Sequence, residues 1–409
     1  MYLLAKFRQK ARIEEAEGGR RRGRLVRALG FIAYLLAATC VLYLLFCGGD
    51  LLLGWLMPVS PWPPLGLNNL PLHEETIQFY DFQYVARTNS KGLRGDEIPA
   101  KEKGVFRILA IGDSYVYGWG ANREDTWVER LNGMFRDAGH SVEVINGGML
   151  GNGPVEYAER AEYLIPDLQP DLVLVCILQG SDLVETPTEL SRFTNLFILI
   201  KDWKHRRPLA PPTALPVSTL ETCRDASMRS AKDLVRQMTP EQRQRFDALD
   251  DTVKQVFFDG LLNVGMIQGT TRWPDWYVDV SIDATDNFRD KTKALAALLL
   301  RIRRIADGHG CRAFAVVMPE GPFVNREALT NWKRLGFNMP PDLYGNEVPE
   351  RLIQGAAQKA GIPVLNLTPA FKEHGDEPGL FFVLDTHMTP AGNRLMAQTL
   401  FPLLLDEIP

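Results

Sequence analysis

The sequence predicts an α/β fold, a parallel sheet covered on both faces by helices, behind an amino-terminal membrane helix and interrupted by a helical insertion. Three observations predict it. Five apolar, β-rich runs, at Phe106–Ile111, Val142–Asn146, Leu172–Leu178, Ala313–Met318 and Pro363–Leu367, alternate with helical patterns near 126–138, 154–164, 288–306, 348–360 and 390–405. That rhythm is the mark of parallel strands joined by helical crossovers. A stretch of twenty uncharged residues, Ala28 to Cys47, precedes them, and between 183 and 285 the rhythm lapses.

The amino terminus reads as an anchor. Residues 1–28 carry nine Lys or Arg against three Glu, so the remaining 381 residues sum to −10 within a net charge of −4. Arg20, Arg21, Arg22, Arg24 and Arg27 directly precede the apolar run. Positive charge of this kind stays on the cytoplasmic side, and twenty apolar residues are enough to cross a hydrocarbon core. A cleaved signal peptide fits less well, because the run is long and no small-x-small site closes it. Leu51 to Met57 continues the apolar character, with Trp55 and Trp62 as interfacial anchors. The expected organisation is therefore a cytoplasmic basic tail (1–27), a transmembrane and interfacial segment (28–57), an extended lead-in (58–104), a first domain segment (105–182), a helical insertion (183–285) and a second domain segment (286–409). A mildly acidic body argues against nucleic acid as the main partner.

The lead-in opens with the proline-rich Pro58 to Pro71, then alternates loosely from 76 to 95, so extended structure and turns are expected there. The chain is organised around Arg107 to Gly120, RILAIGDSYVYGWG. A buried strand runs into the turn Gly112-Asp113-Ser114, and a helix follows with Thr126 and Glu129 spaced as a capping box. A hydroxyl just past the carboxyl end of a parallel strand stands where open α/β sheets place reactive groups. The other strand ends carry Gly147 to Gly153, a loop whose backbone can approach a ligand closely, and Gln179-Gly180-Ser181-Asp182. Near the carboxyl terminus, Leu384-Asp385-Thr386-His387 precedes Thr389-Pro390 and a final helix. Of six histidines, His387 alone has a carboxylate two residues away at a loop-to-helix junction. Hydroxyl, imidazole and carboxylate on one rim follow the nucleophile, base and orienter logic.

These blocks resemble the SGNH (GDSL-type) hydrolase superfamily. Gly112-Asp113-Ser114 resembles its first block, and Gly151 the second-block glycine. Gly180-Ser181-Asp182 stands where the family usually shows an asparagine, so Ser181 replaces that donor. Asp385 and His387 resemble the fifth block; their one-residue spacing is more similar to the bacterial branch containing envelope polysaccharide O-acetyltransferases of the alginate type. The resemblance implies a three-layer α/β/α sandwich with a five-stranded parallel sheet (flavodoxin-like). It also implies a serine mechanism: Ser114 as nucleophile, His387 as general base and acid, and Asp385 as the group orienting the imidazole. The backbone N–H groups of Ser114 and Gly151, with the Ser181 hydroxyl, would form the oxyanion hole. The expected activity is that of an esterase acting on O-acyl, chiefly O-acetyl, esters in the cell envelope. The alternatives are an O-acetyltransferase of an envelope or secreted polysaccharide, and a non-catalytic glycan-binding protein on the same fold.

The insertion holds helical stretches near 218–237 and 240–263, a proline-rich break at Pro208 to Pro216, and Thr239-Pro240 as a helix start. Its position after the third strand of the sheet predicts a lid or acceptor-binding subdomain over the rim. Trp273, Trp276 and Tyr277 are candidates for stacking on a sugar, as Asp113 is for substrate contact; the alternative for the three aromatics is the insertion's own core. Five cysteines make no disulfide framework, and only Cys223 and Cys311 are candidates for a bridge. No metal constellation or phosphate-binding glycine loop occurs, so no cofactor is expected. The expected partners are an acylated glycan or small ester as substrate, the membrane through the amino-terminal helix, and envelope polysaccharide machinery. The expected location is the bacterial inner membrane, single-pass, with a periplasmic carboxyl-terminal domain.

Overall fold

The run Leu172–Leu178, LVLVCIL, is buried at every position, as befits a strand with neighbours on both edges and helices on both faces. It lies at the centre of a five-stranded sheet in a computed structural model that describes residues 29–49, 71–187, 220–282 and 286–408. The tail 1–27, Leu51–Met57 with Trp55 and Trp62, the spacer from Pro58 to Leu70, the break Pro208–Pro216 and the Cys223 side chain lie outside the described residues. Cys311 is a free, buried thiol.

Seven strands are described: β1 Glu74–Gln78, β2 Gln83–Arg87, β3 Phe106–Gly112, β4 Val142–Gly148, β5 Leu172–Leu178, β6 Arg312–Met318 and β7 Val364–Asn366. The first two form an antiparallel hairpin; the other five form one parallel sheet in the order β4-β3-β5-β6-β7. The chain order reverses between β3 and β5, which makes that crevice the topological switch point of the sheet. Helices cover both faces. Trp127–Asp137 packs with Pro390–Leu405, while Asp286–Gly308 packs with Pro154–Leu168 and Val348–Ala360. The fold is therefore the three-layer α/β/α arrangement.

Local chemistry accounts for several boundaries. Thr126 caps the helix Trp127–Asp137 by accepting the Glu129 N–H. The reciprocal half of the expected capping box is missing. The Thr126 N–H already donates to the Arg123 carbonyl, and the Glu129 carboxylate pairs with the Arg123 guanidinium at 3.2 Å. Thr239 and Gln242 form the full reciprocal box, with Pro240 in the first turn. The single helix expected over 240–263 is two, Pro240–Asp247 and Asp251–Phe258. Asp250 breaks it, because its carboxylate accepts the N–H groups of Thr252 and Val253 and so starts a new helix.

The described part of the insertion has its own apolar cluster, in which Phe246, Val253, Phe257 and Ile267 gather around Leu335 and Leu384. Leu384 belongs to the segment that carries Asp385 and His387, so insertion and rim share a core. Three short helices between and after β6 and β7, at Gly321–Val324, Arg326–Arg334 and Thr368–Glu373, were not expected from the pattern. By itself, Leu29–Gly49 is one apolar helix of 21 residues, whose most apolar eighteen-residue stretch has mean hydropathy 2.3. At 1.5 Å per residue it is about 32 Å long, against a hydrocarbon core of about 30 Å.

The backbone packs closely behind the turn that follows β3. A Cβ on Gly148 would sit 2.1 Å from the Tyr117 nitrogen and 2.6 Å from the Val116 carbonyl carbon, both backbone atoms. Gly148→Ala is accordingly expected to lose about 3 kcal/mol, the upper end of ordinary overpacking costs. Urea denaturation of the variant measures this, and a midpoint unchanged from wild type would contradict the packing described.

Candidate active site

The strand β3 delivers Ser114 to the switch point. Gly112 ends the strand, and a Cβ there would lie 2.3 Å from Val116 Cγ2, so the turn closes only around glycine. Asp113 then caps the one-turn helix Ser114–Tyr117, its carboxylate accepting the Tyr115 N–H at 2.9 Å. At the other end, Gly118 takes φ +79° and its N–H returns to the Ser114 carbonyl. Ser114 is thus held on a short, capped turn with its side chain partly exposed.

The segment Leu380 to Thr389 brings the other two groups. His387 Nε2 lies 2.7 Å from Ser114 Oγ, and His387 Nδ1 lies 2.7 Å from Asp385 Oδ1, although serine and histidine stand 273 residues apart. With its Nδ1–H donated to the carboxylate, the imidazole presents an Nε2 lone pair to the serine hydroxyl. The intervening Thr386 takes φ +80°, an uncommon conformation for a β-branched residue. It is held there from outside: its carbonyl accepts the Tyr115 hydroxyl at 3.0 Å. The Tyr115 ring also lies against the imidazole, centroids 5.0 Å apart.

Two residues absent from the sequence reading complete the carboxylate's surroundings. The Trp119 indole N–H donates to Asp385 Oδ2 at 3.0 Å, leaving each carboxylate oxygen with one donor. Asp81, from the turn between β1 and β2, accepts the backbone N–H groups of Leu384 and Asp385 at 2.7 and 2.8 Å. Burial pulls the His387 imidazole down, but the charge and hydrogen bond of Asp385 outweigh it, and the net shift is upward. Burial likewise pushes the Asp113 carboxyl up to about 6, against the Tyr115 N–H bond and the imidazole, which favour its ionised form.

Gly151 and Ser181 lie in the loops that follow β4 and β5, on the same sheet edge as Ser114. Gly151 takes φ +68° with open space where a Cβ would point. Ser181 begins the short helix Ser181–Glu185, and the loop before it is pinned by Glu320. That buried carboxylate, just past the end of β6, accepts the Gly180 N–H at 2.6 Å and the Tyr277 hydroxyl at 2.7 Å. Burial raises its pKa to about 7, with the Tyr277 and Gly180 hydrogen bonds acting against the rise. Its place at a strand's carboxyl end is the signal that could have flagged Glu320 in the sequence.

Two of the candidate substrate contacts are otherwise engaged. Tyr277 is buried in the main core, its hydroxyl shared between Glu320 and the Trp332 indole N–H at 2.7 Å, so its ring has no open face for a sugar. Asp113 is buried and occupied in capping. Trp276 is half-buried against the same core, while Trp273 is 54% exposed with its ring 6.2 Å from that of Trp276.

Residues 270–407 match the family described as SGNH hydrolase-like domain, acetyltransferase AlgX. Over that span the chain is similar to an SGNH hydrolase-like domain. The matched span of that domain includes Asp385 and His387 and begins after Ser114. Similar solved structures include the psychrotrophic esterase EstA from a Pseudoalteromonas species, at 10% identity over 74% of this chain and 97% of that one, with a TM-score of 0.35. An acetyl xylan esterase, AlAXEase, matches at 11% identity over 73% and 100%, with a TM-score of 0.37. The lipase/acylhydrolase from Enterococcus faecalis matches at 12% identity over 75% and 98%, with a TM-score of 0.36. No curated protein sequence matches the chain.

Ring resonances of His387, followed by NMR, are expected to titrate above the ordinary histidine value of about 6.5. Asp385→Asn is expected to move the midpoint downward, since burial then loses its main opponent. The linked contribution to stability is present in full below the unfolded-state value and is lost as pH rises through the raised one. A wild-type midpoint at or below the ordinary value would contradict this electrostatic account.

Proposed function

We propose that the chain is a membrane-anchored, extracytoplasmic serine esterase acting on O-acyl, chiefly O-acetyl, esters of the cell envelope. The observation that carries this reading is the unbroken chain Ser114 Oγ, His387 Nε2, His387 Nδ1, Asp385 Oδ1, with both links at 2.7 Å. In the first half-reaction Ser114 Oγ attacks the ester carbonyl carbon while its proton passes to His387 Nε2. Asp385 stabilises the imidazolium that forms. The tetrahedral oxyanion is received by the backbone N–H groups of Ser114 and Gly151, with the Ser181 hydroxyl as third donor. Collapse expels the alcohol, which takes the proton from His387 and leaves an acyl group on Ser114. In the second half-reaction a hydroxyl, deprotonated by His387, attacks the acyl carbon; Ser114 leaves and recovers its proton.

Water as that second nucleophile gives hydrolysis, and a sugar hydroxyl gives transfer. The description of the matching family as acetyltransferase favours a second reading, O-acetylation of an envelope or secreted polysaccharide. Either chemistry suits the insertion as a lid or acceptor-binding element, because its apolar cluster takes in Leu384 beside the orienting carboxylate of Asp385. The exposed Trp273 is the aromatic left to stack on a sugar ring. The apolar helix Leu29–Gly49, with the arginine cluster before it, supports an inner-membrane anchor whose following domain is periplasmic.

Incubation of the full-length chain with p-nitrophenyl acetate and an oligosaccharide acceptor tests both readings. Free acetate alone is expected of an esterase and acetylated acceptor of a transferase, and Ser114→Ala is expected to abolish either. Turnover unaffected by Ser114→Ala would contradict the serine mechanism, and none with the wild-type chain would favour a non-catalytic glycan-binding role.

A further inference from the structure

The hairpin of β1 and β2, together with the turn that follows it, touches both halves of the candidate site. On one side, a single oxygen, Asp81 Oδ2, accepts the N–H groups of Leu384 and Asp385. On the other, the buried Arg94 guanidinium donates to the carbonyl of Tyr117 at 2.9 Å and to those of Gly118 and Ala121, at the far end of the turn that begins with Ser114. That guanidinium lies over the Tyr84 and Tyr117 rings, 5.1 and 4.8 Å from their centroids. Phe82, beside Asp81, packs on Phe382 with centroids 4.8 Å apart and meets the Trp119 ring edge-on.

We propose that Asp81 is a positioning residue for the serine chemistry, acting through the backbone of Leu384 and Asp385 to fix the carboxylate that orients His387. The proposal rests on the reading of Ser114, His387 and Asp385 as the reacting machinery. The segment it acts on needs such support. Thr386 sits in the left-handed region between the two functional side chains, and a strained residue keeps its conformation only when its surroundings over-determine it. Tyr115 holds the Thr386 carbonyl, the Phe382 N–H holds the His387 carbonyl at 2.8 Å, and Asp81 fixes the entry to the segment. The location of Asp81 also carries a cost. Burial pushes its carboxyl up, the two N–H bonds oppose that, and the nearby charge of Asp385 pushes it further up. A residue serving only to fill space beside Asp385 would avoid that charge repulsion. An acceptor for two N–H groups repays it with geometry.

Because both bonds converge on one oxygen, substitutions separate the acceptor from the bulk. Asp81→Asn keeps an acceptor oxygen, though with weaker, uncharged bonds. Asp81→Ala keeps none. The test is p-nitrophenyl acetate turnover by the full-length chain, expressed per active Ser114 as titrated with a phosphonate ester. Asp81→Ala is expected to lower per-site kcat by about ten- to a hundredfold, the scale of a misplacement of about 1 Å, with KM little changed. Asp81→Asn is expected to recover most of the loss. Should Asp81→Ala fail to fold, Asp81→Glu displaces the acceptor by one methylene and is expected to show the same per-site loss. An unchanged per-site kcat, with any loss confined to the titratable fraction, would reduce Asp81 to packing and overturn the proposal. An Asn variant as impaired as Ala would do the same. A wild-type chain that the phosphonate never labels at Ser114 would instead overturn the serine reading on which the proposal rests.

Discussion

The Asp385 carboxylate has two oxygens and a donor on each: His387 Nδ1 at 2.7 Å and Trp119 Nε1 at 3.0 Å. Its own backbone N–H is taken by Asp81. These bonds fix the carboxylate in position and orientation, and the imidazole follows from it. A buried histidine would otherwise lose basicity, so the carboxylate supplies both direction and proton affinity. Ser114 needs only to be brought within reach, and the turn after β3 does that. Trp119 and Asp81 hold Asp385, Asp113 and Arg94 hold the turn, and Glu320 holds the loop before Ser181.

The sheet explains how groups so distant in sequence converge. Five parallel strands end on one edge, and each of the first four is followed by a residue of the candidate site: Ser114 after β3, Gly151 after β4, Ser181 after β5 and Glu320 after β6. The order reversal between β3 and β5 opens the crevice at the position of Ser114. Asp385 and His387 come from the segment beyond β7, just before the helix that starts at Pro390. Its capping residue Thr389 holds the Ala391 and Gly392 N–H groups, while the Asn393 side chain ties the same helix start to the Trp127 N–H at 3.0 Å.

What could be read from the sequence was chemistry local to strand ends. The five parallel strands were legible because buried β-rich runs are short and continuous. Ser114, Asp385 and His387 were legible because small polar residues interrupt apolar runs where such runs end. The roles of Asp81, Trp119, Arg94 and Glu320 were not. Asp81 reaches its partners across 303 residues, and an aspartate in a turn has no local signal that separates a surface charge from an acceptor for remote N–H groups. Thr126 with Glu129 shows the opposite failure, a sound local motif whose second half was outbid by Arg123. Tyr277 could not be separated from Trp273 by sequence. Both are insertion aromatics, and only the Glu320 and Trp332 partners show that one belongs to the core.

An acyl group resting on Ser114 is the species that the proposed chemistry requires. Mixing the chain with p-nitrophenyl acetate, quenching in acid and mapping peptides by mass spectrometry would look for it directly. The account predicts one acetyl group on the peptide containing Ser114, formed by wild type and strongly diminished in His387→Ala. Acetylation confined to lysines, or found on Ser114 equally without the imidazole, would contradict it.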